Sequence, residues 1–245
     1  MLRKRRKLPL SGVVFFCSIR FQTLMKSIFG IIVHLPEMNT ENQGLFPTAY
    51  FPPVSYIVSM RQNDSVSIEI HETYPKQTIR NRCNILSSNG ILKLTVPVKK
   101  PDGNNTKTKS VQIFQEEDWQ KKHFRAIESA YKSSPFFDYY IHHFIPVFEN
   151  QYENLVELNE TIFKIICKIL KINLPYSFTE QYEKQPENLI DYRQTFDSEN
   201  YRKTIDFEPY TQVFSDRFSF EADLSILDLI FNLGPQTGEY LRKHS

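Results

Sequence analysis

The dipeptide Asn89-Gly90, set between two runs of alternating apolar residues, constrains this chain more than any other feature. Asn-Gly marks a two-residue hairpin loop, because a type I′ turn needs positive φ at both central residues. With Asn89-Gly90 as the loop, Ser88 faces Ile91, Ile85 faces Leu94 and Cys83 faces Val96. The last two of these pairs share one apolar face. Arg80, Arg82 and Asn84, joined by Lys93 and Thr95, share the other. The pattern predicts a hairpin over residues 79–98 that buries one side and presents two arginines side by side on the other.

Upstream, residues 45–50 read as a short buried strand and Phe51-Pro52-Pro53 as a turn with proline entering the first helical turn. Residues 54–61 then form a short helix, and Val66, Ile68 and Ile70 alternate with Ser67, Glu69 and His71 as in a strand. Strand, helix, strand is a βαβ-like opening and favours an α/β sheet. Downstream, residues 101–110 read as a polar, mobile loop, and Val111 and Ile113 as another short strand. Asp118 caps a helix to Ser133 with Trp119, Phe124, Ile127, Ala130 and Tyr131 as its apolar stripe. An aromatic helix follows over 136–149, and Asn154 with Glu157 starts a third helix that ends at Leu170. Residues 174–180 read as a strand and 183–204 as a loop or covering insertion. Asp223 caps a buried helix over 224–231, Gly234-Pro235 ends it, and a last helix occupies 236–243. The fold class expected is α/β: a mixed sheet with a βαβ-like opening, a β-hairpin and several C-terminal helices.

The length of 245 residues suits one domain, or one domain with appendages. Only seven glycines occur, and no glycine-rich phosphate loop or nucleophile elbow is present. Cys17, Cys83 and Cys167 are far apart and odd in number, which fits a reducing compartment rather than a disulfide framework. The net charge of +2 hides an asymmetry: residues 1–37 carry +6 and the remainder −4. An acidic body argues against broad nucleic-acid binding. Within 1–37 a basic run from Arg3 to Lys7 precedes two apolar stretches. Neither reaches the ~18 residues of a transmembrane helix, and no small-residue cleavage site follows the first. The expectation is an N-terminal extension upstream of a native start at Met38, with 38–245 as one domain; peripheral contact with the inner membrane through 1–37 is the competing reading.

Three constellations carry candidate chemistry. Lys76, Gln77, Arg80, Asn81 and Arg82 form the first, because arginine forks hold phosphate or carboxylate through paired donors. The competing reading is a solvated strand face paired with Glu69 or Glu72. Glu69, His71 and Glu72, at the end of the second strand, form the next, since ligands bind beyond strand C-termini and a carboxylate there acts as a general base. The competing reading is a salt bridge from Glu72 to a nearby arginine. Thr48 and Tyr50 end the first strand, where a helix N-terminus receives an anion. His123, His142 and His143 lack ligand partners at metal spacing, so no metal is expected. The residues identify no cofactor. Cys83 and Trp119 read as core, and Asn232 as a helix cap.

The chain resembles the WbqC-like family. The resemblance rests on Pro47-Thr48-Ala49-Tyr50-Phe51-Pro52-Pro53, on 74–82 (Tyr-Pro-Lys-Gln-Thr-Ile-Arg-Asn-Arg) and on Leu94-Thr95-Val96-Pro97-Val98. It continues with Trp119, His123, Ala130-Tyr131 and Pro135-Phe136-Phe137, and with the apolar run from Leu224 to Pro235. It covers roughly 45–243. The histidine that longer members carry ahead of the Pro-x-Tyr-Leu-Pro pattern is absent, as is their Ser-Gly-Gly-like stretch. The family is associated with gene clusters for lipopolysaccharide O-antigen and other surface polysaccharides. The resemblance implies a cytoplasmic group-transfer enzyme acting on a nucleotide sugar or another phosphate-bearing small-molecule donor. Glu69 and Glu72 are its candidate bases; Thr48, Tyr50, Lys76, Gln77, Arg80, Asn81 and Arg82 are its candidate binding residues. A non-catalytic assembly or binding protein of the same pathway is the alternative.

Overall fold

In chain order the elements are β1 (Gln43–Pro47), α1 (Val54–Arg61), β2 (Ser65–Glu69), β3 (Arg82–Ser87), β4 (Gly90–Thr95), β5 (Val98–Lys99), β6 (Gln112–Ile113), α2 (Trp119–Tyr131), α3 (Phe137–Glu149), α4 (Leu155–Leu170), β7 (Tyr176–Phe178), β8 (Ile190–Asp191), α5 (Ile226–Leu233) and α6 (Thr237–Lys243). This computed structural model describes residues 42–115, 118–197, 201–202 and 205–245, so the expectations for 1–37 lie outside it. The central sheet has the order β7-β2-β1-β8, with every neighbouring pair parallel. β3 with β4, and β5 with β6, form two antiparallel pairs. The fold is mixed α/β with a parallel sheet, a hairpin and C-terminal helices.

The βαβ opening forms as its sequence predicts, with Phe46 opposite Ile68. The alternation in β2 suggested a half-buried strand, yet Ser67 and Glu69 are as buried as Val66 and Ile68. A parallel sheet is covered on both faces, so a polar residue on its second face is buried too. On the other side of β1 lies β8, from the stretch expected to be loop; it pairs Gly44 with Ile190 and Leu45 with Asp191. The 106–109 part of the 101–110 loop is hydrogen-bonded to the strand-end stretch that precedes it. Its backbone exchanges bonds with the 70–74 stretch: Tyr74 N–H donates to Thr106, Thr108 N–H to Glu72 and Lys109 N–H to Ile70.

The hairpin closes two residues away from its expected register. Ser87 pairs with Gly90 and Cys83 with Leu94, so Ser88-Asn89 is the loop. Gly90 has φ 96°, and neither loop residue has positive φ. This is a type I turn followed by a bulge glycine, the second common use of such a sequence. A two-residue shift preserves parity, so the two faces keep their expected members. Arg80, however, lies before β3 and its side chain is wholly buried. The two arginines are not presented together at the surface.

Helix capping differs from the sequence pattern at two places. Asp118 precedes α2 without capping it through its side chain. Ser225 rather than Asp223 caps α5, its hydroxyl accepting from Leu227 N–H. Asp223 takes φ 54° and accepts the Ser55 N–H at 2.7 Å, serving the first turn of α1, whose own N-cap is proline. Burial pushes the Asp223 carboxyl up to about 6 against the opposing bonds from Ser55. No described helix is long and apolar enough to cross a membrane.

Candidate functional site

All four strands of the sheet run the same way, so their carboxyl ends meet at one edge. Glu69 ends β2, Thr48 follows β1, Thr179 follows β7, and Asp191 with Arg193 comes from β8. Such an edge is where open α/β sheets place ligands. Glu69, 1% exposed, is fully engaged there. Its Oε1 accepts from His71 N–H (2.6 Å), Glu72 N–H (3.1 Å) and the Thr179 hydroxyl (3.0 Å), and its Oε2 from Arg193 Nη1 (3.1 Å). Arg193 also holds Asp191 and packs its guanidinium 5.2 Å from the Tyr182 ring centroid.

Glu72 stands differently. Its Oε1 accepts Arg80 Nε at 2.6 Å, the competing salt-bridge reading of the sequence. Its Oε2 has no hydrogen bond among the described residues. Burial pushes its carboxyl up from the usual range; attraction to Arg80 only partly offsets this, and Asp197 and Glu69 add to it. Arg80 Nη1 donates to Asp197 Oδ1 at 2.6 Å and to the Thr78 hydroxyl at 3.1 Å. Among the described residues its Nη2 is buried without a partner, as are Arg82 Nε and the Tyr74 hydroxyl. Burial raises the Tyr74 hydroxyl pKa, and the nearby charges of Arg80 and Arg82 pull it back. Buried polar atoms almost always find partners, so three orphaned donors around one stretch signal a missing acceptor.

A concavity opens beside them. Gln77, Thr78, Arg82, Asn84, Lys93 and Asp197 line it. Gln77 reaches it by taking φ 63°, while Lys76 is exposed beside it. Asn81 serves the base of the hairpin, donating from Nδ2 to Val96 O at 2.9 Å. A second cavity of about 330 Å³ lies over the sheet face, floored by Leu45, Glu69 and Thr179 and walled by Glu180 and Glu183.

The expected anion site at the start of α1 is already filled, because Asp223 occupies the positive end of that helix. Tyr50 is wholly buried, and its hydroxyl bonds His123 Nδ1 at 2.8 Å. Burial pushes His123 down to about 4 against a bond to the Thr95 carbonyl, so the imidazole stays neutral. Thr48 accepts from Asn159 Nδ2 at 3.1 Å, and the same amide donates to Arg80 O at 2.8 Å. Tyr50 is thus core and Thr48 a buried neighbour of the Arg80 backbone. Among the described residues no three His, Cys, Asp or Glu side chains converge as metal ligands. Sequence reasoning missed Arg193, Asp197, Thr179 and Asn159. Only the charges of the 183–204 stretch hinted that it paired with the sheet edge.

The WbqC-like protein family model matches residues 48–212, a span that holds both glutamates and all three arginines of this edge. The chain belongs to the WbqC-like protein family. It is 28% identical over 219 residues to the uncharacterised protein Rv1507c of Mycobacterium tuberculosis, across 79% of this chain and 94% of that protein. No solved structure gives a significant match.

Proposed function

We propose that this WbqC-like protein is a group-transfer enzyme of cell-surface polysaccharide biosynthesis, working on the cytoplasmic side with a phosphate-bearing activated donor. The observation that carries this reading is Glu72: a buried carboxylate with raised pKa and one oxygen without a hydrogen bond among the described residues, linked through Arg80 and Asp197 to a concavity lined by Arg82. A carboxylate so tuned accepts a proton near neutral pH more readily than an ordinary one. As an acceptor hydroxyl or amine attacks the donor, its proton passes to Glu72. The bond from the transferred group to the phosphate oxygen breaks, and the phosphate leaves with the electron pair toward Arg82. Glu69, with four hydrogen bonds, is a positioning residue for the 69–72 turn. The carboxylate-walled cavity beside it has the size and hydrogen-bonding character that a sugar requires.

The test is a thermal-shift screen of the full chain against nucleotides, nucleotide sugars, coenzyme A esters and simple phosphates. A ligand at ~100 times its Kd adds about 2.7 kcal/mol, roughly 5–10 °C for a chain of this size. Glu72→Gln is expected to keep the shift and to lose turnover of that donor by about 10²-fold or more. No shift across the panel overturns the donor reading. The alternative, a non-catalytic assembly protein, is favoured by the saturated state of Glu69, Arg193 and Asp191, and pull-down of pathway partners then decides it.

A further inference from the structure

We propose that Arg80 and Arg82 form a subsite for a phosphate group, and that the Asp197 carboxylate is a resident stand-in which that phosphate displaces. The proposal rests on the phosphate-donor reading above. Arg80 has no exposed side-chain surface, yet its partner Asp197 is 41% exposed. Asp197 offers one oxygen to one nitrogen, Nη1, and among the described residues Arg80 Nη2 and Arg82 Nε have no acceptors. Burying a charged donor without a partner is costly. A tetrahedral phosphate has enough oxygens to serve Nη1 and Nη2 of Arg80 together, and Arg82 lines the concavity from which it would enter. Asp197, Thr78 and Arg82 line the same concavity, and Arg80 lies directly behind Thr78 and Asp197. Withdrawal of Asp197 therefore opens the Arg80 edge to a ligand held there. Asp197 has water to turn into; Glu72, whose side chain is only 10% exposed, does not. Carboxylate and phosphate compete for the same guanidinium, so the free protein keeps its charge paired until the ligand arrives.

Calorimetric titration of the full chain with pyrophosphate tests this, using the wild type, Asp197→Asn, Arg82→Gln and the exposed control Glu180→Gln. Asp197→Asn is expected to bind about tenfold tighter than the wild type, and Arg82→Gln at least about tenfold weaker. Glu180→Gln is expected to stay within about twofold, because exposed charges are screened. In the wild-type protein the carboxyl carbon resonance of Asp197 is expected to move on saturation with pyrophosphate, a reading that stands even if a variant folds poorly. Equal affinity of the wild type and Asp197→Asn, or an unmoved Asp197 resonance, removes the exchange and leaves the phosphate subsite standing. An equal gain from Glu180→Gln reduces the effect to overall charge and likewise removes the exchange. Pyrophosphate binding by neither the wild type nor Asp197→Asn removes the subsite, while the thermal-shift panel decides the phosphate-donor reading separately.

Discussion

Arg193 and Arg80 each lie between a glutamate from the end of β2 and an aspartate from the 190–197 stretch. Glu69 and Asp191 flank the first; Glu72 and Asp197 flank the second. The residue types match, but the hydrogen bonding does not. Arg193 gives Asp191 its backbone N–H, Nε and Nη2 at 3.0, 2.9 and 2.7 Å, and gives Nη1 to a glutamate that three other donors also serve. Burial alone would raise the Asp191 carboxyl, but the Arg193 bonds bring it below the usual range. Around Arg80 the balance reverses: burial wins at Glu72, one guanidinium nitrogen has no acceptor among the described residues, and the aspartate is partly exposed. A saturated triad ties β8 and the chain after it to β2. The other holds its arginine with fewer bonds.

The comparison can be broken most forcefully by removing either arginine. Arg193→Ala and Arg80→Ala are each expected to cost about 3–5 kcal/mol in urea unfolding, because each leaves buried carboxylates without a counter-charge. Arg80→Ala should sit at the lower end, since Asp197 turns into solvent. A loss below about 1 kcal/mol for Arg193→Ala would mean that the clamp contributes no stability. Smaller effects come from the aspartates. Asp191→Ala is expected to cost about 1.5–3 kcal/mol, the range for hydrogen bonds to charged groups. Asp197→Ala should cost under about 1 kcal/mol, as for a half-exposed ion pair. Equal costs would erase the distinction between the triads.

The finest effect is the slope of stability with pH. Glu72 has its folded pKa raised, so its contribution is greatest below its unfolded value and is lost as pH rises through the folded one. Asp191 has its pKa lowered, so its contribution is present above the unfolded value and is lost as pH falls through the folded one. Glu72→Gln should therefore gain stability relative to the wild type as pH rises from the ordinary carboxylate range through the raised folded value. Asp191→Asn should lose stability at neutral pH and converge on the wild type in acid. Parallel slopes from the two variants would show that both triads titrate alike.

Much of this architecture is legible in short windows of sequence. The βαβ opening, the hairpin and the helices at 119–131, 137–149 and 155–170 follow from side-chain period, Asn154 capping and turn residues. The hairpin register changed by two residues, and the loop moved by one, because a glycine after Asn89 serves a bulge as well as a tight turn. Glu69, Glu72 and Arg80 were legible as charges at a strand end. Their partners were not, because Arg193 reaches Glu69 across 124 positions and Asp197 reaches Arg80 across 117. β8 escaped for the same reason: two residues inside a polar stretch carry no period, and only their docking on β1 makes them a strand.

By itself the sequence determined the α/β class and the faces of the hairpin, since local dihedral preference and period decide those within about a dozen residues, while the family showed through its motifs. Tertiary structure alone decided which arginine is buried, which glutamate is saturated and where Asp223 places its charge. A buried charge takes its properties from the donors and acceptors that surround it, and here those arrive from strands, loops and helix ends far along the chain.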